Sequence, residues 1–146
     1  MKNINNKIKF SKRTSIYEIE EGKKLCPKFN KEKLLPCITV EYKTNQILMF
    51  SYINKLAFQK SLETKNAHYF SRSRQSIWLK GETSGMYHHI KNMFIDDDQD
   101  CVIFEVKLNK PKKGGKEASC HVGYKSCFYR KVIVSDGKLE LKFTEN

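Results

Sequence analysis

Residues 35–53, LPCITVEYKTNQILMFSYI, decide the fold class. Leu35–Tyr42 and Gln46–Ile53 are β-branched and apolar runs, and Lys43-Thr44-Asn45 between them has the composition of a turn, so the stretch predicts a β-hairpin. Its near-continuous apolar character predicts strands covered on both faces. Asn54 is placed to cap a helix over 54–65, NKLAFQKSLETK, in which Ala57, Phe58, Ser61 and Leu62 form a stripe at helical spacing. Phe58 and Leu62 read as core.

Beyond the helix, AHYFS (67–71) and SIWLK (76–80) read as short strands flanking the dense SRSRQ. Gly81–Gly85 reads as a loop, Met86–Ile95 and Cys101–Leu108 as strands, and 109–117, NKPKKGGKE, as a mobile turn. KVIVSDGKLELKF (131–143) predicts a hairpin about Asp136-Gly137. On the N-terminal side, 1–25 is polar and lysine-rich and predicts a partly ordered arm with one short strand near Ser15–Ile19, broken at Cys26-Pro27. Many strands and one clear helix make a mainly β (α+β) domain: an arm over 1–34, a body over 35–130 and a C-terminal hairpin over 131–146 of the same domain.

At 146 residues the chain is long enough for one domain with a real core. No run approaches the ~18 consecutive apolar residues of a membrane span. The N-terminal MKNINNKIKF lacks the apolar segment of a secretory signal, so the default compartment is the cytoplasm. Five cysteines leave one over from complete disulfide pairing, which favours thiols or metal ligands. The formal charge of +12 attracts polyanions, either nucleic acid or phosphorylated metabolites. General lysine enrichment gives the same number, so charge alone decides nothing.

Chemistry concentrates between Ile95 and Arg130. In an extended IDDDQDC, Asp96, Asp98 and Asp100 point to one face and Asp97, Gln99 and Cys101 to the other. Carboxylates this close repel unless a cation or arginines sit among them, or the run is a solvated acidic turn. An EF-hand reading fails, because Cys101 stands where that loop needs Gly and Lys107 where it needs Glu. Magnesium is the functional reading. Cys120 and Cys127 are two soft ligands, short of the three or four protein donors of a zinc site. His121, another cysteine or a second subunit can supply the remainder. Lys125 and Arg130 are placed to favour the thiolates. Arg72 and Arg74, two apart on a strand-like segment, share a face and can fork onto phosphate, while Thr83 and Ser84 offer hydroxyls and N–H groups. Trp78 can stack on a purine or simply be half-buried.

These stretches, LLPCITVEYKTNQILMFSYIN, AHYFSRSR, Trp78 followed by KGETSG, the D-x-D-x-D run and CHVGYKSCFYR, resemble in order the phosphoribosyl-AMP cyclohydrolase family of histidine biosynthesis. The resemblance covers Leu35–Arg130, and the SRSR, KGETSG and SCFYR combination is highly specific. It implies hydrolysis of the adenine ring of phosphoribosyl-AMP between N1 and C6. It also implies an intertwined homodimer of barrel-like sheets, with zinc between subunits and magnesium nearby; the expected partners are the second subunit and the substrate, with no nucleic acid and no membrane. By the same resemblance Asp96, Asp98 and Asp100 match the magnesium carboxylates, and Cys120 and Cys127 two zinc thiolates. Arg72, Arg74, Trp78, Lys80, Glu82, Thr83 and Ser84 fall to the substrate, and His121 and His68 are candidate bases; His88 and His89 read as ordinary strand residues.

One position departs. The family's third zinc ligand is a cysteine between the first two aspartates, given by the partner chain, and Asp97 stands there. Zinc accepts carboxylate oxygen, though a carboxylate is harder than a thiolate. Cys101 shares Asp97's strand parity but lies ~13 Å further along an extended chain, which favours Asp97. The implied chemistry is a zinc-acidified water attacking C6, the ring nitrogen leaving as an amidine, with magnesium and Arg72 or Arg74 neutralising the two phosphates. Two alternatives are a cyclohydrolase-like protein impaired by its altered zinc site, and a zinc-stabilised nucleic-acid module, disfavoured because the acidic run would repel a phosphate backbone. The chain ends soon after SCFYR, so the pyrophosphohydrolase domain fused in some relatives is expected on a separate protein.

Overall fold

In the computed structural model, which describes residues 8–110 and 115–145, the elements in chain order are α1 (Ile16–Glu21), β1 (Leu34–Glu41), β2 (Ile47–Asn54), α2 (Lys55–Thr64), β3 (His68–Ser71), β4 (Ser76–Leu79), β5 (His88–Ile95), β6 (Val102–Leu108), β7 (Arg130–Ser135) and β8 (Lys138–Phe143). The expected hairpin is the β1–β2 pair, antiparallel from Leu34 opposite Asn54 to Val40 opposite Ile47. Strands β1 to β6 form one sheet in the order β4-β3-β2-β1-β6-β5, curled into a half-barrel. All neighbours are antiparallel except the parallel pair β1 and β6.

Burial follows the alternation of each strand. Every residue of β1 is buried or half-buried, as its apolar run predicts, whereas Ile47 and Phe50 of β2 are exposed. In β6, Val102, Phe104, Val106 and Leu108 face inward. Helix α2 matches the expected span. Asn54 Oδ1 accepts from Ala57 N at 2.8 Å, Lys65 closes it in the left-handed region, and Ala57, Phe58 and Ser61 are buried. Phe58 meets Phe104 on one side and Phe10 of the arm on the other, with ring centroids 6.5 and 5.0 Å apart.

Four expectations need correction or completion. Ser15–Ile19 is not a strand: Ser15 Oγ accepts from Glu18 N at 3.1 Å, capping the six-residue helix α1. Strand β5 begins at His88 rather than Met86, because 81–85 turns back on itself through Gly85 N to Gly81 O. The C-terminal hairpin forms about Asp136 and Gly137, both at positive φ, but its two strands pair only with each other. Residues 111–114 of the expected turn lie outside those described. Among the described residues, no helix is long and apolar enough to cross a membrane.

Phe104 is fully buried between Phe58 and Tyr69. Phe104→Ala should therefore lower the unfolding free energy in urea by ~3–5 kcal/mol. A loss under ~1 kcal/mol would contradict its place at the core's centre.

Candidate active site

The loop after β4 shapes a cleft of about 440 Å³ lined by Arg74, Trp78, Lys80, Glu82, Thr83, Ser84, Ser119, His121 and Cys127. A wider groove, where Arg72 lies beside Ser51 and Tyr52, shares Arg74, Trp78 and His121 with it. Gly81 is essential to this shape, since it sits at φ +96° and a Cβ there would come within 2.6 Å of Tyr87 N. Six of the seven expected substrate residues thus line one cleft, with Arg72 next door. Arg72 and Arg74 belong to the tight turn 72–75, however, not to a strand. Arg72 lies 4.4 Å over the Tyr52 ring. Trp78 leans on Tyr69 at 5.4 Å and also lines the cleft.

Of the two thiols, exposed Cys127 lines the cleft and buried Cys120 lies behind it. The loop 119–125 folds tightly through Ser119 N to Lys125 O and Cys120 N to Tyr124 O, both 3.0 Å, and Cys127 N is tied to Leu48 O of β2 at 2.7 Å. This brings the Cys120 and Cys127 sulfurs near enough to perturb each other electrostatically. Burial, then the Cys120 sulfur, pushes the Cys127 thiol up to about 11, against the opposing charge of Lys80. Lys80 is the cation beside these sulfurs, buried and donating to Met86 O at 3.1 Å. The expected Lys125 instead pairs with Glu41 at 2.8 Å, and Arg130 lies over Tyr129.

The histidines separate cleanly. His121 is exposed and lines both cavities. His68 is buried on the far side of β3, held by Asn66 O at 2.9 Å and outside the cleft lining. His88, taken from the sequence as an ordinary strand residue, is fully buried and bonded on both ring nitrogens, to Tyr69 Oη at 2.7 Å and Ser119 Oγ at 2.8 Å. Tyr69 Oη continues to Thr39 Oγ1 at 2.8 Å. Burial, then the charge of Lys80, holds His88 well below the usual histidine range, so it is neutral. This polar chain crosses the core and ends next to Cys120. Its sequence signal was the shared inward parity of His88 and Ile90.

The acidic run is a turn, not an extended segment. Asp96 N donates to Cys101 O at 3.1 Å, Asp96 Oδ1 accepts from Asp100 N and Cys101 N, and Gln99 adopts φ +60°. Strand parity therefore does not sort these side chains, and Cys101 is folded back against Asp96 rather than ~13 Å beyond Asp97. One oxygen each from Asp96, Asp97 and Asp98 falls within 4.8 Å, a hard-donor set that suits a small divalent cation. Asp100 belongs to the same cluster: hydrogen bonds shared with Asp96, then with Asp98, raise its carboxyl to about 6. Two soft thiols suit zinc but fall short of its usual three or four ligands. Among the described residues, no third His, Cys, Asp or Glu joins Cys120 and Cys127 to make a three-donor group.

A raised folded-state value means the native turn holds its proton more tightly than the unfolded chain, so this group's contribution to stability falls as pH rises through about 6. In metal-free protein, carboxyl NMR should show Asp100 titrating near 6, and Asp98→Asn should move it down towards the ordinary carboxylate value. An unmoved midpoint would contradict the shared hydrogen bond.

Comparison with known proteins shows the family. The family model for phosphoribosyl-AMP cyclohydrolase matches residues 49–129, more than half of the chain. A phosphoribosyl-AMP cyclohydrolase of Chelativorans sp. is 43% identical over 128 residues, covering 88% of this chain and 87% of that protein. One from Methanocella arvoryzae is 48% identical over 106 residues, covering 73% and 82%. A bifunctional histidine-biosynthesis protein of Thermoanaerobacter pseudethanolicus is 50% identical over 105 residues, 72% of this chain but 45% of that longer protein. With its cleft, paired thiols and acidic turn in the matched or directly adjoining segments, the chain belongs to the phosphoribosyl-AMP cyclohydrolase family.

Proposed function

We propose that this chain hydrolyses the N1–C6 bond of phosphoribosyl-AMP in histidine biosynthesis. It does so as a homodimer whose zinc is shared by Cys120 and Cys127 of one chain and Asp97 of the partner subunit, with magnesium at Asp96, Asp98 and Asp100. The single observation that carries the shared site is a separation. Strand β5 starts at His88, bonded to the residue beside Cys120, and ends at Ile95, directly before the acidic turn. Eight residues of strand span on the order of 20–25 Å, while a metal–ligand bond is ~2 Å. Asp97 and the thiol pair of one chain therefore cannot hold the same ion. They can across two chains.

The hairpin supports a second copy. Val134 opposes Leu139 and Val132 opposes Leu141, so these four and Phe143 form one apolar face, every member more than half exposed. A two-stranded ribbon with such a face is marginal alone and asks to be covered.

In the cleft, Trp78 offers its ring to the purine, and Arg74 with Arg72 in the adjoining groove offers two positive charges to the phosphates. Thr83 and Ser84 add hydroxyls at the rim. When bound, zinc supplies Lewis acidity that makes water a competent nucleophile near neutral pH. His121, exposed at the cleft and next to Cys120, is the group placed to take the proton from that water; His68, buried behind β3, is not. Lys80 lies beside the thiols, its amine pKa lowered by burial and raised again in part by Cys127 and Cys120.

Purified protein with zinc and magnesium should turn over phosphoribosyl-AMP, lose that activity with EDTA or a zinc-selective chelator, and regain it on adding zinc. No turnover in the metal-loaded enzyme would favour an impaired relative. Zinc content per chain, measured after dialysis, should fall in Asp97→Ala and rise in affinity in Asp97→Cys, where a thiolate replaces the harder carboxylate. Unchanged zinc content in Asp97→Ala would remove Asp97 from the ligand set.

A further inference from the structure

The N-terminal arm lies outside the segment matched by the family model, yet it grips the acidic turn. We infer that residues 10–30 are a brace that sets the cation affinity of this turn, with Gln99 as the positioning residue that joins the two. This rests on the reading of the acidic turn, with Asp96, Asp98 and Asp100, as a divalent-cation site and adds what holds that site in shape.

Gln99 stands in the left-handed region at φ +60°, where a non-glycine residue persists only if its surroundings hold it. It is 5% exposed, and its amide is engaged on both ends. Oε1 accepts from Cys26 N at 2.8 Å, while Nε2 donates to Ile19 O at 3.0 Å and Lys24 O at 3.2 Å. Its backbone carbonyl accepts from Lys28 N at 2.7 Å. Arg13 adds a second tie, with Nη1 donating to Cys26 O at 2.7 Å and to Asp98 O at 3.1 Å. The arm is itself anchored: Ser11 N donates to Leu25 O, and Phe10 packs on Phe29 and Phe58.

These contacts take backbone groups and the Gln99 side chain but leave the carboxylates of Asp96, Asp97 and Asp98 exposed. The division fits a brace. Three carboxylates within 4.8 Å repel one another and favour an opened turn without a cation. A turn held closed by the arm meets the cation with less ordering left to do. Coupling of this kind is reciprocal, so cation binding should also quiet the arm.

The test uses the full chain and manganese alone as the probe, titrated by its EPR signal, with tryptic cleavage at Lys23 and Lys24 followed in parallel. Gln99→Asn tolerates positive φ but is one methylene too short to reach the arm, and Gln99→Gly relaxes the backbone altogether. Both should weaken manganese binding ~5-fold or more, within the usual span of site-to-site coupling. Manganese should slow arm cleavage in the wild type and not in the variants. Arg13→Met, at a half-buried position, gives the same reading should the Gln99 variants fold poorly. Asp98→Asn separates the two claims. Binding lost in Asp98→Asn but changed less than ~5-fold in Gln99→Asn and Arg13→Met would overturn the brace alone. Binding that survives Asp98→Asn would place the cation elsewhere and overturn the brace together with the reading beneath it.

Discussion

The length of β5 governs how this molecule can assemble its chemistry. The strand is tied to β6 along its run, from His88 opposite Leu108 to Ile95 opposite Val102, so its two ends cannot approach each other. The thiol loop is held at one end through His88 and Ser119, and the acidic turn closes the other. A single chain therefore carries two separated clusters of different chemical character. One has soft sulfurs beside the cleft; the other has hard oxygens on a turn that the arm contacts. In the proposed homodimer a two-fold arrangement would bring the acidic turn of each chain to the thiol pair of the other, and the exposed apolar face of β7–β8 is surface available to such a partner.

Within the chain, rigidity comes from a core that is aromatic on one side and polar in a single line. Phe58, Tyr69 and Phe104 fill the concave side of the sheet. Through them runs Thr39–Tyr69–His88–Ser119, all buried and mutually satisfied. A fully bonded buried chain of this kind fixes orientation, because each broken link strands a donor or acceptor without water. Its final member lies beside Cys120, so the core's geometry is passed to the thiol loop. Gly81 does the same for the cleft rim, where backbone approach leaves no room for a side chain.

Much of this was legible in the sequence for identifiable reasons. The β1–β2 hairpin, α2 with its Asn54 cap and the Asp136-Gly137 turn all carry local signals, namely β-branched runs, a capping residue and a turn dipeptide, which the tertiary structure leaves intact. The cleft lining was legible because SRSR and KGETSG lie only five residues apart, around β4, and resemble a known family. The failures share a cause as well. Alternation along DDDQD assumed an extended chain, but the Asp96 carboxylate captures the N–H groups of Asp100 and Cys101 and turns it. Arg72 and Arg74 were likewise given strand parity inside what is a turn. Lys125 was assigned to the thiols by sequence proximity, whereas Glu41, 84 positions away, holds it and Lys80 takes its place. Gln99 carried no local signal, since its partners are arm backbone groups more than 70 residues distant.

The central claim, a metal site divided between chains, is tested most directly by subunit complementation. Asp97→Ala and Cys127→Ser variants, each inactive alone, are mixed, unfolded and refolded together, and assayed on phosphoribosyl-AMP. Random pairing gives mixed dimers in which one site collects both defects and the other is intact, so activity should return to about a quarter of wild type. A mixture that contains mixed dimers and stays as inactive as its parents would contradict a site shared between chains.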